Sequence, residues 1–456
     1  MTPASLRART PQRSWLALTA ILGASVLASL DLFIVNLAFP QISSSFPATS
    51  PQALSWVLNA YLVTFAALLA PAGRLADHFG RRRVFQLGLA AFALGTVAAS
   101  IAPGIEVLIA ARAFQGAGAA VMVPTSLALL LSVTDESSHK RMISVWAAAG
   151  SVAAALGPVL GGVLADANWR WVFLIKIPFA VIALVGARAL PRDVPTESRT
   201  PDLLGAGLLA VSIAALVTAL SYWPEWIPGN PLLWAVLGGS AVALVLFVAR
   251  SRIHPAPSID LTVFRNAPFS AAVVGMAAFY LGFSIMLLGG ALWTTNIWQW
   301  SSALTGLAYV AGPGTAVLSA LLVGRSSLNA RWFAVIGGAL FVACGIMWAI
   351  AFTPESPNAW VLIAGLVLTG AAAGIGQTGF LAVGTTALPA TEQATAAGVV
   401  NTARQVGAAI GVAVLIALVG AGLDPATYRH AWIVMAAAGA LAALSPFIAP
   451  ARSTQK

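Results

Sequence analysis

The sequence predicts an all-α membrane protein: fourteen transmembrane helices, forming two six-helix bundles with a two-helix insert between them. Three observations carry that prediction. Of 456 residues, 59% are hydrophobic and only 8% charged, whereas a soluble domain carries about 25% charged residues. Fourteen apolar runs recur along the chain, most of them long enough to cross hydrocarbon as a helix. The basic residues cluster in alternate loops, the pattern that sets membrane orientation. None of the runs alternates in polarity, so barrel strands are not expected.

In order, the runs fall at 15–39, 53–73, 84–101, 105–131, 143–165, 171–190, 203–223, 231–249, 268–292, 303–324, 332–352, 359–387, 396–421 and 428–449. Arg7, Arg9 and Arg13 before the first run imitate a signal peptide, but the run is too long and many follow it, so it reads as an uncleaved span. With the N-terminus placed inside, inner segments hold nineteen of the 24 basic residues and outer loops hold only Arg170 and Arg429. That split predicts cytoplasmic termini in an inner membrane. It also explains the formal charge of +10 without nucleic acid. Cys344 is the single cysteine, so no intrachain disulfide forms.

Two polar stretches, 191–202 and 250–268, divide the chain. The expected units are 1–190, a six-helix bundle; 191–267, a linker carrying the seventh and eighth spans; and 268–456, a second six-helix bundle. Two such bundles around a midplane site are the plan of a repeat-built transporter. The inserted pair has no charge within its spans and is expected to lie at the periphery.

The first run carries one charge, Asp31. An ionised Asp at the bilayer centre costs about 2.5–3.5 kcal/mol on insertion scales, so it must face protein or a water-lined interior. Span four contains Arg112 in Arg112-Ala113-Phe114-Gln115-Gly116, and an intramembrane arginine needs a carboxylate, carbonyls or water. Snorkelling to a surface is the alternative. In span five, Gly150, Gly157 and Gly161 share one helix face, beside Pro158 and Gly162. Small residues there permit backbone contact, and the proline bends the helix. The loop after span two reads Gly73-Arg74-Leu75-Ala76-Asp77-His78-Phe79-Gly80-Arg81. There Gly73 would let a helix approach, Gly80 would permit a tight turn, and Asp77 could pair with an arginine or cap a helix. Four histidines, all in or near loops, form no cluster, so neither a metal site nor a catalytic triad is expected.

Taken together, these strings resemble the major facilitator superfamily, in its fourteen-span drug/proton antiporter branch. The Gly-x-x-x-Asp-x-x-Gly-Arg loop is similar to the superfamily's signature latch. Arg112 resembles its arginine motif, and 150–162 its antiporter motif. Leu30-Asp31-Leu32-Phe33-Ile34-Val35-Asn36 resembles the branch's first-helix motif, with Trp56, Tyr61, Gly398, Asn401, Arg404, Gln405 and Gly407 extending the likeness. The resemblance implies a non-enzymatic, monomeric exporter of amphipathic compounds, without cofactor, exchanging its small-molecule substrate for protons among membrane lipids. It implies proton coupling at Asp31 with Arg112, and a cavity including Asn36, Trp56, Tyr61 and Gln115. Narrow export of an endogenous metabolite or self-made antibiotic is the alternative.

The sequence departs from the branch in three places. Lys176 stands where Asn is usual; its ammonium is expected to reach the outer surface, or else to add positive charge to the cavity. The second bundle has no intramembrane acid. Trp293-Thr294-Thr295 replaces an aromatic-Leu-Gln at the end of span nine.

Overall fold

A computed structural model describes residues 11–191, 200–226, 229–389, 392–420 and 423–448. Arg7, Arg9, Arg192, Arg199, Arg452 and Lys456, part of the orientation argument, lie outside the described residues.

Among the described residues, fourteen helices are long and apolar enough to cross a membrane. They are α1 Trp15–Ser45, α2 Pro51–Phe79, α3 Arg81–Ser100, α4 Ile105–Val133, α5 Arg141–Ala167, α6 Trp171–Ala189, α7 Leu203–Ser221, α8 Pro231–Ile253, α9 Ala267–Ile297, α10 Ser302–Val323, α11 Ala330–Ala351, α12 Ala359–Thr386, α13 Thr395–Val419 and α14 Pro425–Ile448. An even number of spans puts the start of α1 and the end of α14 on one side, here the near face. The opposite side is the far face.

Local chemistry fixes the boundaries. Side chains of Ser50, Asp202, Asn230, Asn266, Ser301, Asn329 and Asn358 accept backbone N–H bonds at helix starts, satisfying donors that the helix leaves open. Two spans are interrupted in the same way. α6 breaks at Ile175, three residues before Pro178, and α10 at Val310, three before Pro313. Each proline lacks the N–H that would have bonded the carbonyl four residues back. Within α9, two π-helical stretches, Ile285–Gly289 and Trp293–Ile297, flank a single helical turn.

The two six-helix groups pack in the same order. In the first, α1 lies on α5, α2 on α4, α3 on α4, and α6 on both α1 and α3. In the second, α9 lies on α13, α10 on α12, α11 on α12, and α14 on both α9 and α11. Each helix of the first group thus has a counterpart eight spans later. The same exchange relates the two seams between groups, α5 against α10 and α2 against α13.

The inserted pair is less detached than its composition suggests. α8 packs chiefly on α7, tied by reciprocal hydroxyl-to-carbonyl bonds between Ser212 and Ser240 of 3.0 and 2.8 Å. α7, however, packs against both α2 and α13, and so covers one edge of the seam. Its start is pinned by Asp202, which accepts from Gly205 N at 2.8 Å and from Arg250 Nε at 2.6 Å.

The far ends of the groups are closed on one another. Gly162 lies on the Ser302 backbone and Gly306 on the Pro158 carbonyl, so that a Cβ at either would collide. The Asp166 carboxylate accepts from Ser302 N and Ala303 N at 3.0 and 2.9 Å, capping α10 from α5. Gln41 of α1 also donates to the Ser302 hydroxyl. Toward the near face the seam opens. Arg141, Ile143, Ser144, Val145, Ala147 and Ala148, on several sides of α5, are exposed.

A side chain at Gly162 cannot coexist with this closed seam, so Gly162→Val should hold the far face open. With Cys344 replaced by Ser, a cysteine at Gln41 should react slowly with an impermeant maleimide from the far side. Adding Gly162→Val should raise that rate about tenfold; an unchanged rate would mean that this contact does not keep the face shut.

Candidate functional site

The site is built where three close helix contacts meet. Gly95 of α3 abuts α4, a Cβ there falling 2.9 Å from both the Ala111 carbonyl and Gln115 N. Gly118 lies against α3, and Gly116 against Tyr61 and Thr64 of α2. These contacts press α4 between α2 and α3 and turn Arg112 and Gln115 toward α1. On the other side of α1, Gly150, Gly157 and Gly161 of α5 lie against Ser25, Phe33 and Ile34. They share one face, as their spacing requires, whereas Gly162 faces α10.

At the centre, Asp31 is fully buried and both its oxygens are occupied. Oδ2 accepts from an Arg112 Nη at 2.6 Å. Oδ1 accepts from Gln115 Nε2 at 3.0 Å and from Lys176 Nζ. Arg112 also donates from Nε to the Val57 carbonyl at 2.9 Å, and from the same Nη that binds Asp31 to Gln115 Oε1 at 2.5 Å. Its guanidinium lies 4.5 Å from the Tyr61 ring centroid. Gln115 donates to the Thr96 hydroxyl at 2.9 Å. The Lys176 ammonium stands 4.6 Å from the Phe173 ring centroid. One carboxylate therefore serves two cations, and the cluster carries a net positive charge inside the first group.

A narrow cavity lies on the seam beside this cluster. Its wall includes Asn36, Tyr61 and Arg112 from the first group and Tyr280, Ser284 and Gln405 from the second. Asn36 donates to the Leu32 carbonyl at 2.6 Å, while the Tyr61 hydroxyl is buried with no hydrogen-bond partner among the described residues. Tyr280 donates to Gln377 and lies 5.1 Å from the Arg404 guanidinium. Arg404 Nε is buried with no hydrogen-bond partner among the described residues.

Several expectations need correction. Lys176 does not reach the outer surface, nor does it line the cavity: it is fully buried against Asp31. The break at Ile175 and the packing of α6 on α1 and α3 aim its stem inward. Asp31 itself stands one side chain behind the cavity wall, with Arg112 between. Gln115 belongs to the buried cluster, not the wall, and Trp56 packs half-buried on the hydrophobic core. Arg112 does not snorkel, being 2% exposed.

In the loop after α2, Asp77 pairs with Arg81 at 3.2 Å, and Gly80 turns the chain at φ 91°, a conformation that favours glycine. Gly73 has nothing within 4 Å of a built Cβ, so no helix approaches it in this open-near arrangement. Arg74 instead donates to the Pro257 carbonyl, joining α2 to the segment before α9. Thr96, Tyr280 and Asp166 are the participants that sequence reasoning missed. A hydroxyl in an apolar run or an Asp at a helix end is too common to stand out.

Residues 21–292 match the profile of the Major Facilitator Superfamily. The chain belongs to that superfamily. It is 33% identical over 410 residues to multidrug resistance protein Stp of Mycobacterium tuberculosis (strain CDC 1551 / Oshkosh), covering 88% of this chain and 75% of that protein. The methylenomycin A resistance protein of Bacillus subtilis (strain 168) is 30% identical over 430 residues, with 92% and 91% covered. Among solved structures, the partially occluded inward-open xylose transporter XylE from E. coli aligns with a TM-score of 0.66 at 12% identity, covering 98% of this chain and 99% of that one. That likeness establishes the fold.

The cluster makes a prediction about stability. Breaking a buried ion pair from one side costs about 3–5 kcal/mol, because the remaining charge is stranded. Asp31→Asn strands two cations and should lower the thermal midpoint sharply. Lys176→Asn leaves a one-to-one pair and should cost little, and Asp31→Asn with Lys176→Asn should recover part of the loss. Thermal unfolding in detergent reads the double-mutant cycle; additive effects would mean that the two residues do not interact.

Proposed function

We propose that the chain is a proton-coupled exporter of amphipathic small molecules. It works as a monomer in a bacterial inner membrane, with both termini and the near face in the cytoplasm. One observation carries this reading: an acid–base cluster of Asp31, Arg112 and Lys176 lies directly behind the wall of a cavity on the moving seam. Membership of the superfamily and likeness to resistance proteins point the same way.

Alternating access follows from the seam. With the far face closed, cargo enters from the near face and rests against Asn36, Tyr61, Tyr280 and Gln405. Release of the α10 cap by Asp166 lets the far face open, since water there can replace the two carboxylate bonds. Charge in the cluster then decides whether Arg112 is held back by Asp31 or advances into the cavity. A proton gained from outside advances it and expels cargo. The proton lost inside withdraws it again.

The midplane side chains Arg112, Lys176 and Arg404 outnumber Asp31, so dications should be poor cargo compared with neutral or singly charged amphiphiles. Proteoliposomes with an imposed pH gradient and a panel of neutral, monocationic and dicationic dyes test both statements. Proton-driven efflux should favour the first two classes and should vanish in Asp31→Asn, even where that protein inserts normally. Unchanged proton-driven efflux in Asp31→Asn would remove the cluster from the mechanism.

A further inference from the structure

The cluster contains more positive than negative charge, which bears on where the exchanged proton resides. We infer that the transported proton is carried by the Lys176 amine, with Asp31 remaining ionised throughout the cycle as its fixed counter-charge. This inference rests on the exporter reading above and assigns an atom to its proton step.

The argument begins with the groups facing the ammonium. Asp31 of α1 accepts directly from Nζ, and Arg112 and Gln115 of α4 bind the same carboxylate. Thr96 of α3 sits behind Gln115, Tyr61 of α2 beneath Arg112, and Phe173 of α6 beside Nζ. Of these, Asp31 carries the lone negative charge. Arginine does not give up its proton in proteins. Protonating Asp31 would leave two cations in a water-poor interior with no anion, the most costly arrangement of the three. Deprotonating Lys176 leaves a neutral Asp31–Arg112 pair, with the Nζ amine still able to donate a hydrogen bond to Oδ1. The cheapest change of charge is therefore at Nζ.

The step balances simply. With the near face open, the N–H bond of the ammonium breaks, its electron pair stays on nitrogen, and the proton passes by Arg112 into the cavity water. Asp31 then leans on Arg112 alone, which draws the guanidinium off the cavity wall and makes room for cargo. With the far face open, the amine takes a proton from outside, Asp31 regains its second partner, and Arg112 is free to move toward the cavity. A lysine is required for this because its amine exists in both forms, whereas arginine is a permanent cation.

Difference infrared spectroscopy of the purified full chain, stepped from mildly alkaline to mildly acidic pH, is the test. The native protein should show no protonated-carboxyl band assignable to Asp31. Lys176→Asn, in which Asp31 must take over, should show one that disappears when Asp31→Asn is added. A native Asp31 band would overturn the inference, whether or not any cargo is exported. In proteoliposomes, Lys176→Arg should keep the charge and lose proton-driven efflux at least tenfold. Native-level coupled efflux in that variant would equally overturn it. Should native protein export none of the dye panel, the exporter reading falls while the infrared result still decides which group titrates.

Discussion

Two cations on one buried carboxylate is the constraint from which the rest of this molecule follows. A single ion pair in a low-dielectric interior roughly recovers its desolvation cost when its geometry and hydrogen bonds are good. The Asp31–Arg112 pair has that support, from Gln115, Thr96 and the Val57 carbonyl. Lys176 adds a charge that this pair does not need. Its retention inside the bundle makes the cluster sensitive to any event that changes charge by one. Because its members come from α1, α4 and α6, that sensitivity is felt at the contact between three helices of one group.

How the charge change reaches the seam depends on how α5 is held. Three glycines seat α5 closely on α1, against the Ser25 hydroxyl, the Phe33 side chain and the Ile34 backbone, while Gly162 and the Asp166 carboxylate hold it to α10 at the far end. The first contact is long, running from Gly150 to Gly161, whereas the second is short and ends at the exposed Asp166. In the proposed alternating access, α1 and α5 would move as a unit and the α10 contact would be the one to yield. Gly306 and the break before Pro313 place the weak point of α10 next to that contact.

Fourteen spans were legible because hydropathy needs no tertiary information, and the Gly80 turn because its neighbours leave few alternatives. Lys176 was not. Its distance from the end of an apolar run gives its depth in the membrane, and five residues from Trp171 is shallow enough for a long side chain to escape. What depth does not give is azimuth: only the packing of α6 on α1 determines that Nζ meets Asp31. Gln115 fails for the same reason, facing the carboxylate and not the cavity. Gly73 shows a different limit. Its motif suggests the close approach of a helix, but a Cβ built there meets nothing within 4 Å in this arrangement. The contact of α7 with α2 and α13 was not legible either, because uncharged helices can cover the edge of a seam as readily as face lipid.

The two groups share their packing order but not their charges. α9 and α12 repeat the positions of α1 and α4 without an acid, and Arg404 on α13 meets a tyrosine ring in place of a carboxylate. Among the described residues of the two groups, the buried carboxylate therefore lies in the first, and the second adds Tyr280, Ser284 and Gln405 to the cavity wall. This division suits an exchanger. If both groups held titrating clusters, each swing of the seam would have to move two sets of charges across partly dry contacts. In the proposed exchange, a proton entering down a membrane potential would contribute about 2.3 kcal/mol per 100 mV, and one cluster would receive that work at a single place. The Arg112 side chain is the connection: of the three side chains bonded to Asp31 among the described residues, it is the one that also lines the cavity.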